Sequence, residues 1–176
     1  MRILREEAIS LVVDYQEKLV PVMKEPELLI YHSQILLQGL KILDVPMIIT
    51  QQYTRGLGTT VQDITEAVGT EEYVEKISFS AYENVKDMIQ GKKYVIVCGI
   101  ESHICVLQTV IDLAAAGYVP VVVEDCISSR KKHDKKIALE RMTKEGAIIT
   151  TSESILFELL REAGTETSKK IQRLIK

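Results

Sequence analysis

Six short runs, most of them apolar, recur along the chain and alternate with segments of helical periodicity. The apolar runs lack polar alternation, which is typical of strands that are covered on both faces. Strands are expected at residues 8–14, 45–51, 73–76, 93–98, 119–125 and 147–150. Strands that alternate with helices favour an α/β fold in three layers, a doubly wound six-stranded parallel sheet with helices on both faces.

Between these runs, apolar residues recur at the spacing of amphipathic helices. The helices are expected over residues 27–43, 59–68, 84–90, 103–116, 133–145 and 152–163, with a loop over 52–60. The tail from Lys169 to Lys176 adds one amphipathic turn. A length of 176 residues without internal repeats predicts a single domain over residues 1–176.

Charge and cysteine content narrow the class of protein. A formal net charge of −3 argues against a nucleic-acid surface, and the basic residues between Arg130 and Lys136 are expected to form a solvated helix face. No apolar stretch reaches the roughly 18 to 20 residues of a membrane span, so no membrane association is expected. Three cysteines without a C-x-x-C pair, and no recognisable signal peptide, predict reduced thiols and a cytoplasmic location.

The run that ends at Cys98 is followed by Gly99, which permits a sharp turn, and then by Cys105 in the first turn of the next predicted helix. At a helix start, the helix dipole and unpaired N–H groups can stabilise a thiolate and hold an oxyanion. Cys105 is therefore a candidate nucleophile. The alternative is a small apolar residue that packs under the sheet.

Two other polar residues lie at the carboxyl ends of predicted strands, Asp14 in the first and Lys76 in the third. The carboxyl ends of parallel strands meet at one edge of a sheet, so a single cleft can collect Asp14, Lys76 and Cys105. Asp14 is a better candidate than His103 for the base that accepts the Cys105 proton. His103 and Cys105 are two residues apart on a predicted helix, so their side chains point to different faces. Lys76 would balance the negative charge of Asp14. The alternative is that Asp14 is a structural acid and Lys76 a solvated lysine.

Motifs for cofactors are absent from the sequence. The glycines at 56 and 58 do not form a dinucleotide fingerprint, and no Walker loop occurs. The histidines His32, His103 and His133 are isolated and lack metal-ligand spacing. The sequence therefore predicts neither a cofactor nor a catalytic metal.

Three segments resemble, in order and spacing, the motifs of the isochorismatase-like cysteine hydrolases. These segments are Asp14 to Gln16, Lys76 to Tyr82, and Cys98 to Val106. Within that superfamily, the chain is most similar to the isochorismatase-domain-containing proteins of uncharacterised substrate. That similarity involves Thr50 to Tyr53, Gly56 to Thr60, Asp125 to Arg130, and Thr151 to Glu153.

The resemblance implies a catalytic triad of Asp14, Lys76 and Cys105, and a cis peptide bond between Ile100 and Glu101. The N–H groups of Glu101 and Cys105 would then hold an oxyanion. The implied reaction is hydrolysis of a small amide, imide or carbamoyl compound through a thioester. The resemblance also implies a homo-oligomer.

The chain departs from the family at the second predicted strand. Family members that hydrolyse nicotinamide carry an aspartate and histidines there as a metal site, whereas this chain has Gln51, Gln52 and Tyr53. A metal-independent reaction on a small-molecule substrate is therefore expected. The predicted substrate pocket contains Phe79 and Tyr82, with Gln16 and Gln52 as polar candidates.

Two other functions fit the same fold. The first is a catalytically inert interaction or scaffold protein. The second is a redox sensor, which would need Cys98 or Cys126 as a resolving thiol for Cys105.

Overall fold

The computed structural model describes residues 1–176. Its sheet has six strands, all parallel, in the order β3-β2-β1-β4-β5-β6. The strands are β1 Ala8–Val13, β2 Met47–Gln52, β3 Val74–Lys76, β4 Tyr94–Ile100, β5 Val119–Ser128 and β6 Ile148–Thr150. The predicted doubly wound α/β fold is confirmed.

Eight helices pack on the sheet. They are α1 Pro26–Ile42, α2 Thr54–Leu57, α3 Gln62–Val68, α4 Tyr82–Val85, α5 Leu107–Ala115, α6 Lys132–Lys144, α7 Ser152–Leu160 and α8 Glu166–Ile175. None of them combines the length and hydropathy that a membrane crossing requires.

Each face of the sheet has its own hydrophobic core. The larger core, of 27 buried residues, joins one face to α1, α3, α7 and α8. The smaller core, of 17 buried residues, joins the other face to α4, α5 and α6. Successive strand residues alternate between the cores, as Ile96 and Val97 do, because strand side chains point to opposite faces in turn. Burial of each such side chain stabilises the fold by about 1.5–3 kcal/mol.

The centre of the sheet is the point where the strand order reverses. The chain leaves β1 for α1 on one face and leaves β4 for α5 on the other, and in sheets of this kind a crevice is expected beyond the carboxyl ends of these strands. Gly99 lies beside this crevice with a φ of +132°, and a Cβ at Gly99 would lie 2.1 Å from the carbonyl oxygen of Val13. Only glycine permits so close an approach of β1 and β4.

Several boundaries differ from the predictions. The helix expected at 103–116 starts as a π-helical turn, Ser102–Val106, before α5. The segment expected to be helical over 84–90 forms only the short α4, whereas the tail forms the ten-residue α8. Strand β5 continues to Ser128 through an irregularity, since Val97 pairs with Val122 but Gly99 pairs with Ile127. The apolar pattern could not reveal that irregularity.

Candidate active site

Asp14 and Lys76 form a buried ion pair. Lys76 Nζ lies 2.7 Å from Asp14 Oδ2, and neither side chain has any exposed surface. Asp14 directly follows β1 and has the left-handed conformation, with a φ of 54°, which aspartate tolerates better than most residues. Thr50 Oγ1 donates a 2.8 Å hydrogen bond to Asp14 Oδ1. Both carboxylate oxygens are therefore held in fixed positions.

Further acceptors surround the ammonium group of Lys76. It donates to Gln52 Oε1 at 2.7 Å and to the carbonyl oxygens of Ser78 and Phe79 at 3.2 and 2.9 Å. A buried ammonium is stable only with such partners. Asp14 is the only negatively charged one among the four acceptors.

Gln16 and Gln52 maintain this arrangement. Gln16 accepts from the Gln52 N–H at 2.7 Å and donates to the carbonyl oxygens of Gln52 and Gly58 at 3.0 and 2.7 Å. Gln52 also donates to the Ile77 carbonyl oxygen at 2.6 Å. The buried Gln16 amide has no free hydrogen for a substrate, so its role is to position the backbone around Lys76. Gln52 retains one amide hydrogen.

The two aromatic candidates lie at different depths. Phe79 contributes its carbonyl oxygen to Lys76, while its side chain is 53% exposed. Tyr82 packs against the smaller core, which includes Cys105, and its ring centroid lies 6.4 Å from that of Tyr118. Tyr82 is thus the more enclosed of the two.

Cys105 lies in the π-helical turn with 6% of its surface exposed. Burial and, to a smaller extent, the nearby Asp14 carboxylate raise the pKa of the thiol to about 12, although Lys76 and the Glu101 backbone lower it in part. The expectation of a stabilised thiolate at this helix start is wrong for the free protein, because desolvation outweighs the favourable partners. With its pKa raised in this way, the Cys105 thiol is neutral in the free protein at neutral pH.

The peptide bond between Ile100 and Glu101 is cis, at the position that the sequence resemblance implies. The side chain of Glu101 accepts hydrogen bonds from Arg130, from Nε at 3.0 and 3.2 Å and from the backbone N–H at 3.2 Å. The residue that precedes the π-helical turn is thus fixed to the end of β5. The sequence predicts Arg130 only as part of a solvated basic stretch. Nothing in the sequence pattern of that stretch indicates its contact with Glu101.

His103 points away from the Asp14 carboxylate. Its Nδ1 lies 2.9 Å from Ser129 Oγ, and its Nε2 lies 3.9 Å from Asp134 Oδ2. These contacts turn the imidazole toward the β5–α6 connection. The geometry agrees with the choice of Asp14 over His103 as the candidate base.

The other two cysteines lie in the core on the opposite face of the sheet from Cys105. Burial raises the pKa of Cys98 to about 12 and that of Cys126 well above its ordinary value. All three cysteines are free thiols. Because the sheet separates Cys105 from Cys98 and Cys126, neither can serve as its resolving thiol without a large rearrangement.

No group of three or more His, Cys, Asp and Glu side chains is arranged to hold a metal ion. At the position of the metal site in nicotinamide-hydrolysing enzymes, Gln51 donates to Thr60 Oγ1 and accepts from Thr54 Oγ1, each at 3.0 Å.

Comparison with known proteins assigns this geometry to a family. The family model described as "Isochorismatase domain" matches residues 8–154. The chain belongs to the isochorismatase family. Within this family member, Asp14 and Lys76 form the buried ion pair described above.

Curated relatives of this isochorismatase-family chain include two vertebrate proteins. "Isochorismatase domain-containing protein 1" of Danio rerio is 38% identical over 167 residues, which cover 93% of this chain and 59% of the relative. "Isochorismatase domain-containing protein 2A" of Mus musculus is 37% identical, with coverage of 99% of this chain and 85% of the relative. The chain thus spans about 59% of the length of the first of these relatives.

Among solved structures, the MAR1 ribonuclease of Caenorhabditis elegans superimposes with a TM-score of 0.93 at 36% sequence identity. The match covers 99% of this chain and 92% of that one. The whole architecture, including the strand order, is therefore shared with a solved member of this fold.

Proposed function

We propose that this protein is a metal-independent cysteine hydrolase that cleaves a C–N bond in a small amide, imide or carbamoyl compound. One observation supports the proposal above all others. The Asp14 carboxylate and the Glu101 backbone lie close enough to the Cys105 thiol to influence its pKa, and Lys76 holds Asp14 Oδ2. This arrangement supports a nucleophile, a base and an oxyanion donor acting at one point.

In the first step, Asp14 accepts the Cys105 proton while the sulfur attacks the substrate carbonyl carbon. The thiol rests in its neutral form, so proton transfer accompanies the formation of the S–C bond. The negative charge moves from Asp14 to the carbonyl oxygen. The N–H groups of Glu101 and Cys105 stabilise that oxygen, and one such donor is worth roughly 3–4 kcal/mol in comparable sites.

In the second step, the tetrahedral intermediate collapses. Asp14 returns its proton to the substrate nitrogen, the C–N bond breaks, and ammonia or an amine leaves a thioester on Cys105. Asp14 then takes a proton from water, whose oxygen attacks the thioester carbon. The C–S bond breaks, Asp14 passes its proton to the sulfur, and the acid product leaves, which restores both the thiol and the carboxylate. Throughout this cycle, Lys76 keeps the buried carboxylate in place.

RNA cleavage is the second candidate, because a solved structure at 36% identity is titled a ribonuclease. The charge distribution gives this candidate less support. The net charge is −3, and Lys132, Lys135 and Arg130 of the basic stretch are each paired with a glutamate. A backbone-binding surface would instead present unpaired cations along a groove.

A screen of small amides, imides and carbamoyl compounds with ammonia detection tests the proposal. We expect turnover by the wild type, none by Cys105→Ala, and near-normal turnover by Cys126→Ala, which removes a thiol from the opposite core. A thioester adduct should be trapped on the wild type only. Full activity of Cys105→Ala on a true substrate would refute the mechanism, and cleavage of single-stranded RNA without any amide turnover would favour the second candidate.

The proposal includes a homo-oligomer. The loop that supplies two carbonyl acceptors to Lys76 exposes Ile77 and Phe79, whose exposed fractions are 71% and 53%. Light scattering coupled to size-exclusion chromatography measures the mass directly. A monomer at micromolar concentration would contradict this part of the proposal.

A further inference from the structure

A separate cavity of about 410 Å³ lies between the first turns of α1 and α6, beyond the carboxyl end of β5. Its volume falls within the range of small-molecule sites. None of Asp14, Lys76 and Cys105 lines it. We propose that this cavity binds a small phosphorylated compound.

Four lysines line the cavity. Three of them, Lys132, Lys135 and Lys136, project from the same side of α6, and Lys24 lies opposite on the segment that leads into α1. Lysine is a common phosphate ligand because its ammonium is a compact charge with three donors. Lys24 and Lys136 form no ion pair and no side-chain hydrogen bond within the protein, so both are available to a ligand.

The carboxylates of the cavity are already engaged. Glu25 pairs with Lys132 at 3.3 Å, and Glu124 pairs with Lys135 at 2.7 Å. Asp125 accepts from the backbone N–H and the hydroxyl of Ser152 at 2.8 and 2.6 Å. Asp125 Oδ2 also lies 3.6 Å from Nδ1 of His32, which lines the cavity as well. Two of the three carboxylates are thus paired with lysines, whereas two ammonium groups have no partner. Four lysines against three carboxylates give the lining an excess of positive charge.

Two further features favour an anion with an apolar body. Helices α1 and α6 both begin at this edge without a side-chain cap, so their positive dipole ends add to the lysine charges. The wall also includes Leu28 and Leu139. A phosphate group near the lysines would leave the remainder of the ligand against these leucines. A phosphate monoester fits this combination better than inorganic phosphate alone.

The test uses phenyl phosphate as the probe and the full-length Cys105→Ala protein, so that binding is measured without the proposed nucleophile. Isothermal titration calorimetry should give saturable binding with one site per chain. The affinity should fall as ionic strength rises. We expect Lys24→Gln and Lys136→Gln each to weaken binding about tenfold, as loss of a charged hydrogen-bond donor does. Lys144→Gln, at the far end of α6, is the matched control and should bind normally.

Two control compounds share the phenyl ring of the probe. Benzyl alcohol carries no charge and tests for general apolar binding, and phenylacetate tests whether a carboxylate can replace the phosphate. Neither should bind as tightly as phenyl phosphate. Equal binding of either compound, the absence of saturable binding, or unchanged affinity in Lys24→Gln and Lys136→Gln would overturn the proposal. Circular dichroism of each variant checks that the fold is intact. Because the nucleophile is absent throughout, these outcomes are independent of whether the proposed hydrolase activity is correct.

Discussion

Lys76 Nζ donates a 2.7 Å hydrogen bond to Asp14 Oδ2 and so joins two completely buried side chains that are 62 residues apart in the sequence. Lys76→Met would leave the Asp14 charge buried without its counterion. We expect a loss of about 3–5 kcal/mol in the free energy of unfolding, measured by urea denaturation. Lys86→Met, which removes the exposed Lys86–Glu83 pair, is the control and should leave the midpoint unchanged. Similar midpoints for both variants would contradict the importance of the buried pair.

The raised pKa of Cys105 determines how the rate of its alkylation should depend on pH. Iodoacetamide should modify wild-type Cys105 at a rate that keeps rising with pH up to at least pH 10, because its pKa is about 12. Asp14→Asn removes the negative charge that raises this pKa, so the rate at pH 8 should increase while turnover falls. Peptide mapping by mass spectrometry follows the site. A wild-type plateau below pH 9 would show instead that the free protein holds a thiolate.

Gly99 should tolerate no side chain. In Gly99→Ala, the new Cβ would meet the Val13 carbonyl oxygen, and β1 and β4 would have to separate next to the site. We expect a loss on the order of 4 kcal/mol or failure to fold. Gly117→Ala is the matched control, since Gly117 also has a positive φ, of +89°, but open space around it. Its cost should be only about 1–2 kcal/mol. Equal thermal stability of the two variants would count against the close contact.

The hydroxyl of Ser102 is buried beside the cis peptide and has no hydrogen-bond partner in the protein. Ser102→Ala should therefore leave thermal stability unchanged or raise it, because an unpaired buried polar group is unfavourable by about 1–3 kcal/mol. Thr109→Ala is the contrasting variant. Thr109 Oγ1 donates to the Cys105 carbonyl oxygen at 2.7 Å and accepts from the Ala81 N–H at 2.9 Å. If Ser102→Ala destabilises as much as Thr109→Ala, the hydroxyl has an undetected partner.

The strands and the location of the site could be predicted from the sequence for one reason. Buried parallel strands produce continuous apolar runs, and polar residues directly after such runs must gather at one edge of the sheet. Asp14 and Lys76 follow this rule, and the structure pairs them. Cys105, in the turn after β4, lies near enough to Asp14 for the carboxylate to raise the pKa of its thiol.

Other features depend on contacts between distant segments, which leave no periodic signal. The ion pair between Arg130 and Glu101 joins two loops. The pKa of Cys105 is raised mainly by burial, which depends on the packing of several segments around the thiol. Gln16 looked like a substrate ligand because it is polar and close to Asp14. Its actual partners are backbone groups 36 and 42 residues away.

Strand β5 pairs irregularly with β4, so the orientation of its last side chains does not depend on the number of residues before them. Four residues, Val123 to Cys126, stand opposite the single residue Cys98, and regular pairing resumes at Gly99 and Ile127. In a regular strand, insertion or deletion of one residue turns every later side chain to the other face. Here the bulge can absorb such a change, while pairing with Gly99 still sets the orientation of Ile127 and Ser128. The orientation of the residues that border the crevice is therefore set by their own pairing with β4 and not by the number of residues before them in β5.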